Sequence, residues 1–286
     1  MSSLSSFSRR LRPAHSLQLL GAHAILLAYS ALALFPIVLI LINSFKTRKA
    51  IFQTPYALPN SETWSTVGYE TVFKRANFAD YFVNSLIVTL GALVLILIAG
   101  TMAAWALAEY RFPGNRLMGL YLALGIMIPI RLGTVSILRL MVDLNIVDTL
   151  WALILVYTAA GLPLAIFVLT NFMKQVPRDL KDAARVDGAS EYRIYRMILP
   201  LVRPAIGTVA VFNMIPIWND LWFPLILAPS ERNKTVTLGA QTFLGQFISD
   251  WNAVLSSLTL AAIPVVILYI IFSRQLIRGL TAGAVK

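Results

Sequence analysis

The sequence predicts an all-α, polytopic membrane protein with six transmembrane helices. Both termini are expected on the cytoplasmic side, with one polar cytoplasmic loop between helices 4 and 5. Three observations carry this reading. Hydrophobic residues make up 58% of the 286-residue chain and charged residues only 13%, about half the usual charged share. Apolar runs recur at lengths that cross a hydrocarbon core, about 20 residues each. Most of the 24 Lys and Arg fall in segments that six spans place on one side. That bias also accounts for the net charge of +11 without nucleic acid.

Residues 1–16 are Ser-rich and carry Arg9, Arg10 and Arg12. They resemble the basic start of a signal peptide, and Ala31-Leu32-Ala33 resembles its cleavage site. The apolar run nevertheless continues to Ile42, so residues 17–42 are expected to stay as the first span. Residues 43–80 form a long polar interval broken by Pro55, Pro59, Asn60 and Gly68, with Trp64, Tyr69 and Phe73 interleaved. They predict one or two short helices at the outer surface. The second span is expected over 81–108. A tight cytoplasmic turn at Glu109–Arg116 follows, with Pro113-Gly114 as its breaker.

The third span is expected over 117–140, interrupted by Pro129, and the fourth over 150–172, with a kink at Gly161 and Pro163. The fifth, 198–227, is the least uniform, because Asn213, Pro216, Trp218, Asn219, Asp220, Trp222 and Pro224 interrupt it. Residues 228–252 form a second outer loop and 253–272 the sixth span. Residues 17–277 thus make one transmembrane domain, followed by a cytoplasmic tail at 278–286.

Between the fourth and fifth spans lies a stretch unlike the rest. From 174 to 197, basic Lys174, Arg178, Lys181, Arg185, Arg193 and Arg196 mix with acidic Asp179, Asp182, Asp187 and Glu191. Pro177 suits a helix first turn, and Asp179 and Asp182 complement its positive end. Gly188 suits the left-handed residue that ends that helix, and Ser190 suits the cap of the next. The pattern predicts a helix–Gly–helix elbow standing out of the membrane. On the residues alone, a docking element and a solvated amphipathic loop are equally open.

Several chemistries are excluded. No cysteine is present, and His15 and His23 are not paired at metal-ligand spacing. Neither Lys46-Thr47 nor Lys234-Thr235 follows the glycines of a nucleotide-binding loop, so this chain has no ATPase motif. No nucleophile–base constellation is evident, which speaks against a membrane-bound enzyme. No internal repeat supports an ion-driven secondary transporter.

Asp182-Ala183-Ala184-x-x-Asp187-Gly188-Ala189, followed by Leu199-Pro200-Leu201 and Pro204, resembles the EAA loop of binding-protein-dependent ABC importers. Asn84-Ser85-Leu86, Ala103–Arg116, Trp218-Asn219-Asp220 and the tail from Gly279 to Lys286 are similar to carbohydrate-importer permeases of the maltose-importer type. The tail is most similar to the second, shorter permease of such a pair. Asp182 departs from the Glu usual in the family, keeping the charge with one methylene less reach.

The resemblance implies a multi-pass protein of the bacterial inner membrane. Its implied partners are a homologous second permease, two ATPase subunits that bind ATP and Mg, a periplasmic solute-binding protein and membrane lipid. No cofactor is implied on this chain. Asp182, Ala183, Ala184, Asp187 and Gly188 would couple to an ATPase, with Thr281–Lys286 as a second contact. Glu231–Asp250 resembles an outer loop that probes the binding protein.

Asn213, Trp218, Asn219 and Asp220 are candidates for a solute path or gate, since polar groups within a span should face the bundle or water. For Trp218-Asn219-Asp220 a packing or gating role is expected over direct sugar contact. Arg131, just after Pro129, is expected either to snorkel to headgroups or to meet an anionic substituent such as a phosphate or sulfonate on the solute.

Overall fold

The computed structural model describes residues 13–75, 77–244 and 250–282. Arg9, Arg10, Arg12, residues 245–249 of the second outer loop and Gly283–Lys286 of the tail lie outside the described residues.

The described residues fold as helices joined by turns and loops. The chain begins with α1 (Pro13–Ser44), α2 (Arg48–Gln53), α3 (Val67–Arg75) and α4 (Phe78–Glu109). Next come α5 (Asn115–Leu124), a 3-10 turn at Ile130–Gly133, α6 (Thr134–Asp143) and α7 (Leu150–Gln175). The polar stretch folds as α8 (Arg178–Val186) and α9 (Glu191–Ile198). The chain closes with α10 (Arg203–Asn219), α11 (Trp222–Leu227), α12 (Val236–Ala240) and α13 (Trp251–Ala282).

The expectation of six transmembrane helices is corrected. Among the described residues three helices are long and apolar enough to cross a membrane: Leu19–Ser44, Phe78–Glu109 and Leu150–Gln175. A fourth exists if α9 and α10, bent by 73° at Pro200, are taken as one span. The expected third span fails because the chain turns after Leu124 and Pro129 leads into a 3-10 turn. That leaves α5 and α6 with 10 residues each, about 15 Å of helix against a core of about 30 Å. The expected fifth span divides because the helix ends at Asn219 and restarts at Trp222. In α13 the apolar part with described side chains is Trp251–Ile267 only. The placement of both termini on one side rested on the count of six; three spans set the termini on opposite sides, and four set them on the same side.

The core is built on α4 and α7. Val88, Ala92 and Ile96 recur every four residues along one face of α4 and meet Leu153, Val156 and Leu169 of α7. Thr149 caps α7 by accepting a hydrogen bond from the Ala152 N–H, and α7 runs through Pro163 without a break. Val209 and Ile217 of α10 complete this layer. A Cβ on Gly161 of α7 would lie 2.3 Å from Asn213 Oδ1 and 2.5 Å from Ile96 Cδ1, so glycine lets α4, α7 and α10 meet there. A second cluster joins α3, α4, α10, α12 and α13 through Val72, Tyr81, Trp218, Val236 and Val254. α1 stays outside, with residues 19–38 all exposed, as suits an apolar helix bathed in lipid.

The segment after α1 is pinned by Lys46. Its side chain is fully buried, and Nζ donates to Asn43 Oδ1 (3.1 Å), Thr54 O (2.8 Å) and Pro55 O (3.2 Å). All three ammonium protons are thus used on neutral acceptors. Lys46 bridges Trp64 through the backbone, and its carbonyl accepts from Asn252 Nδ2 at 2.6 Å. Burial lowers its pKa.

Candidate functional site

Two polar constellations interrupt the apolar body. The first is the elbow. α8 begins right after Pro177, one residue later than the first-turn reading placed it, with Asp179 in its first turn and Arg185 in its last. It ends in paired backbone bonds, Gly188 N–H to Arg185 O at 3.0 Å and Ala189 N–H to Ala184 O at 2.9 Å. Gly188 closes them at φ +76°, a conformation that costs an L side chain about 1–2 kcal/mol. The Ser190 hydroxyl caps α9 by accepting from the Arg193 N–H.

The helical repeat sorts α8 into two faces. Lys181, Ala184 and Arg185 turn inward, while Asp182, Ala183 and Val186 turn outward, with Val186 88% exposed. Asp187 and Gly188 at the apex are exposed as well. The sequence-predicted group therefore splits. Four of its members lie on the open surface, and Ala184 packs half-buried against the core.

The inward face shows what sequence reasoning missed. Glu109, the last residue of α4, accepts from Lys181 Nζ at 2.6 Å and from Arg185 Nη2 at 2.5 Å. Arg185 Nε also donates to Glu191 Oε1 of α9 at 2.9 Å, and Nη1 to Asp182 Oδ1 at 2.9 Å. The Tyr110 hydroxyl donates to Glu191 Oε2 at 3.1 Å. Lys181 also lies 5.9 Å from the centre of the Trp105 ring. Glu109 and Lys181 are both nearly inaccessible. These bonds tie both arms of the elbow to the end of α4. The hydrogen bond to Glu191, then that to Glu109, raises the Arg185 pKa above its ordinary value. Burial, then the bond to Glu191, raises that of Tyr110.

The second constellation surrounds Asp220. Its carboxylate, 8% exposed, accepts from Arg131 Nη2 at 3.2 Å and from the Tyr157 hydroxyl at 2.9 Å. It also accepts from the backbone N–H of Phe223 at 3.1 Å and of Trp222 at 3.3 Å, holding the first turn of α11. Trp222 Nε1 donates to the Thr134 hydroxyl, which donates in turn to the Arg131 carbonyl. Arg131, Asp220 and Asn213 line one cavity of about 570 Å³ between α7, α10 and the Ile130–Gly133 turn. The Arg131 side chain is 68% exposed and has spent a single N–H on Asp220.

Of the remaining candidates, Trp218 and Asn219 do not join this cavity. Trp218 is buried, donates from Nε1 to Ala261 O of α13 at 3.0 Å, and packs edge-on against Phe82. Asn219 is exposed and donates to Ile215 O of its own helix. Asn213 Nδ2 likewise bonds Val209 O, leaving its carbonyl beside Gly161. Tyr157, which completes the site, carried no sequence signal beyond an aromatic in an apolar run. No cluster of metal-ligating side chains occurs among the described residues.

Comparison with known proteins identifies this architecture. Residues 96–281, which hold both constellations, match the family of the binding-protein-dependent transport system inner membrane component. A diacetylchitobiose uptake system permease protein of Streptomyces coelicolor is 30% identical over 268 residues, 93% of this chain and 88% of that protein. An arabinooligosaccharides transport system permease protein of Bacillus subtilis is 30% identical over 260 residues, 90% of this chain and 92% of that protein. In fold, the chain is similar to a chain from the crystal structure of a bacterial ABC transporter involved in the import of the acidic polysaccharide alginate. That similarity has a TM-score of 0.78 at 21% identity and covers 92% of this chain and 98% of that one. This chain belongs to the family of binding-protein-dependent transport system inner membrane components, as a multi-pass inner-membrane permease without an ATPase motif of its own.

Proposed function

We propose that this chain is one permease subunit of an ATP-driven importer that moves a neutral sugar, glycoside or polyol from a periplasmic binding protein across the membrane. The observation that carries the reading is the braced elbow. Two short helices present an exposed Asp182, Ala183, Asp187 and Gly188, and salt bridges among Glu109, Lys181, Asp182, Arg185 and Glu191 fix them to the end of α4. Such an element transmits a push from a soluble subunit as a rigid-body movement. The chain has no nucleotide-binding loop, so the push comes from elsewhere. In this reading the elbow stands on the cytoplasmic side, and each of two ATPase subunits, holding ATP and Mg, receives one elbow. The second elbow belongs to a homologous partner permease, and this chain is the shorter, second permease of a maltose-importer-type pair. Asp182 meets a basic side chain of the ATPase, and Ala183 and Gly188 allow close approach.

The sugar assignment is supported by the relatives, which include permease proteins of uptake systems for diacetylchitobiose and arabinooligosaccharides. The Arg131–Asp220 pair is formally neutral, which favours an uncharged solute beside it. In this reading the pair, with Asn213 in the same cavity, serves the solute path or its gate. Trp218 and Asn219 act in packing.

The experiment is reconstitution in proteoliposomes with both permeases, the ATPase subunits and the binding protein. Uptake that requires ATP and the binding protein supports the reading. Ion-gradient-driven uptake by this chain alone refutes it.

One observation favours a second reading, in which the solute is a sugar bearing a phosphate or sulfonate. Arg131 keeps most of its guanidinium open at the cavity mouth. In that case Arg131→Gln abolishes uptake of the anionic sugar, and unchanged uptake excludes it.

A further inference from the structure

At the same end of the bundle as the elbow, the α4–α5 turn and the end of α7 enclose a cleft of about 660 Å³. Arg111, Arg116, Lys174 and Arg178 line it, and no carboxylate does. These four cations are exposed and make no salt bridge among the described residues. Lys181, at the margin, is already spent on Glu109. A second groove of about 420 Å³ continues from the first, sharing Arg116, Leu117 and Lys174 with it. It runs between α5 and α7 along Leu120, Ala123, Ile166 and Phe167, all apolar.

One face of α7 therefore carries a graded ladder. Ile166, Thr170 and Lys174 are spaced by four residues, so they stack about 6 Å apart along the helix. The middle rung is unusual. Thr170 is only 9% exposed, and its hydroxyl has no hydrogen-bond partner among the described residues. Buried polar groups are rarely left unpaired. Apolar side chain, lone hydroxyl and ammonium follow in the order of acyl chain, glycerol ester and phosphate in a phospholipid.

We propose that this cleft binds an anionic phospholipid, with its phosphate among Arg111, Arg116, Lys174 and Arg178. The Thr170 hydroxyl donates to an ester oxygen, and an acyl chain lies between α5 and α7. The groove reaches about 12 Å below Lys174, along two turns of α7, where a soluble partner cannot follow. A zwitterionic headgroup brings a second cation into a cleft that has no acceptor for it. The headgroup is therefore of the phosphatidylglycerol kind.

The test uses the assembled transporter in detergent, titrated with dioleoylphosphatidylglycerol or dioleoylphosphatidylcholine, with bound lipid counted by native mass spectrometry. Phosphatidylglycerol is expected to be retained over phosphatidylcholine. R116Q/K174Q should weaken that binding on the order of 30-fold, whereas R48Q/K49Q on α2, away from the cleft, leaves it unchanged. T170V should weaken it by a smaller factor. Equal retention of the two lipids, or an equal loss in R48Q/K49Q, overturns the proposal. Displacement by millimolar glycerol phosphate makes this a free-phosphate site, and retention of phosphatidylglycerol by the permease pair alone but not by the assembly with its ATPase subunits makes it a protein interface; either overturns the proposal. If R116Q/K174Q does not assemble, L120C supplies a labelling site in this cysteine-free chain. A bimane there should be quenched by brominated phosphatidylglycerol and not by brominated phosphatidylcholine, and equal quenching by the two overturns the proposal.

Discussion

Replacing Glu109 by Gln removes the charge that holds the elbow to α4. The carboxylate accepts from Lys181 at 2.6 Å and from Arg185 at 2.5 Å. Lys181 is 5% exposed, so the variant strands a buried ammonium. Breaking a buried pair from one side costs about 3–5 kcal/mol. The Gln carbonyl still accepts one hydrogen bond, and Arg185 is partly open to solvent, where its share is screened and small. The cost therefore falls at the low end, about 3 kcal/mol. With a factor of ten for each 1.4 kcal/mol, opening of the elbow rises on the order of 100-fold. Hydrogen–deuterium exchange on the assembled transporter reads this directly, peptide by peptide over residues 178–198. Glu109→Gln should speed exchange there and leave the middle of α4 unchanged. Combining it with Lys181→Met removes the stranded charge and should recover most of the protection. Unchanged exchange in Glu109→Gln, or no recovery in the double variant, refutes the brace.

Four further outcomes are expected. Asp182→Lys reverses a charge on the outward face and should cut ATP-coupled uptake at least about tenfold while membrane insertion is unaffected; a charge-assisted contact of about 1.5 kcal/mol suffices. A Cβ on Gly188 would meet no neighbour within 4 Å, so Gly188→Val costs chiefly the strain of φ +76°, at least about 1–2 kcal/mol for a β-branched side chain; a lower ratio of solute moved per ATP hydrolysed is the expected readout. Asp220→Asn removes the charge facing Arg131 and weakens the hold on α11, so uptake should fall and the melting temperature should drop by a few degrees; wild-type values of both contradict the site. Lys46 has a pKa lowered by burial, so its contribution is full above the ordinary lysine value, about 10.4, and declines as pH falls through the lowered folded value. Melting temperatures should accordingly rise with pH for wild type relative to Lys46→Met, and parallel curves contradict this.

The elbow was legible because its signals are local. Pro177, Gly188 and Ser190 act on their own backbone, and a charge run between apolar runs is visible by eye. Its brace was not legible, because Glu109 and Lys181 are 72 positions apart and only folding brings them together. Glu109 read as one polar residue of a tight turn. The span count failed for a related reason. Apolar composition over 117–140 and 198–227 says the chain is buried in something apolar, and not that it runs straight. The turn after Leu124, Pro129 and the gap at Asp220-Leu221 break the helices within those windows. Asp220 stood out as costly in lipid and Arg131 as a residue that would snorkel or meet an anion, yet their pairing across 89 positions was invisible. Trp218, polar only at its indole N–H, found its acceptor on α13 rather than in the cavity.

Whether the elbow is the coupling element can be asked directly at its tip. Val186 is 88% exposed on the outward face of α8, and the chain has no cysteine of its own. In membrane vesicles holding the full transporter, Val186→Cys should cross-link to an ATPase subunit, with a yield that changes on adding ATP. It should also resist an impermeant thiol reagent applied from the periplasmic side. Labelling from the periplasm, with no cross-link to the ATPase under any nucleotide condition, contradicts the elbow's assigned role.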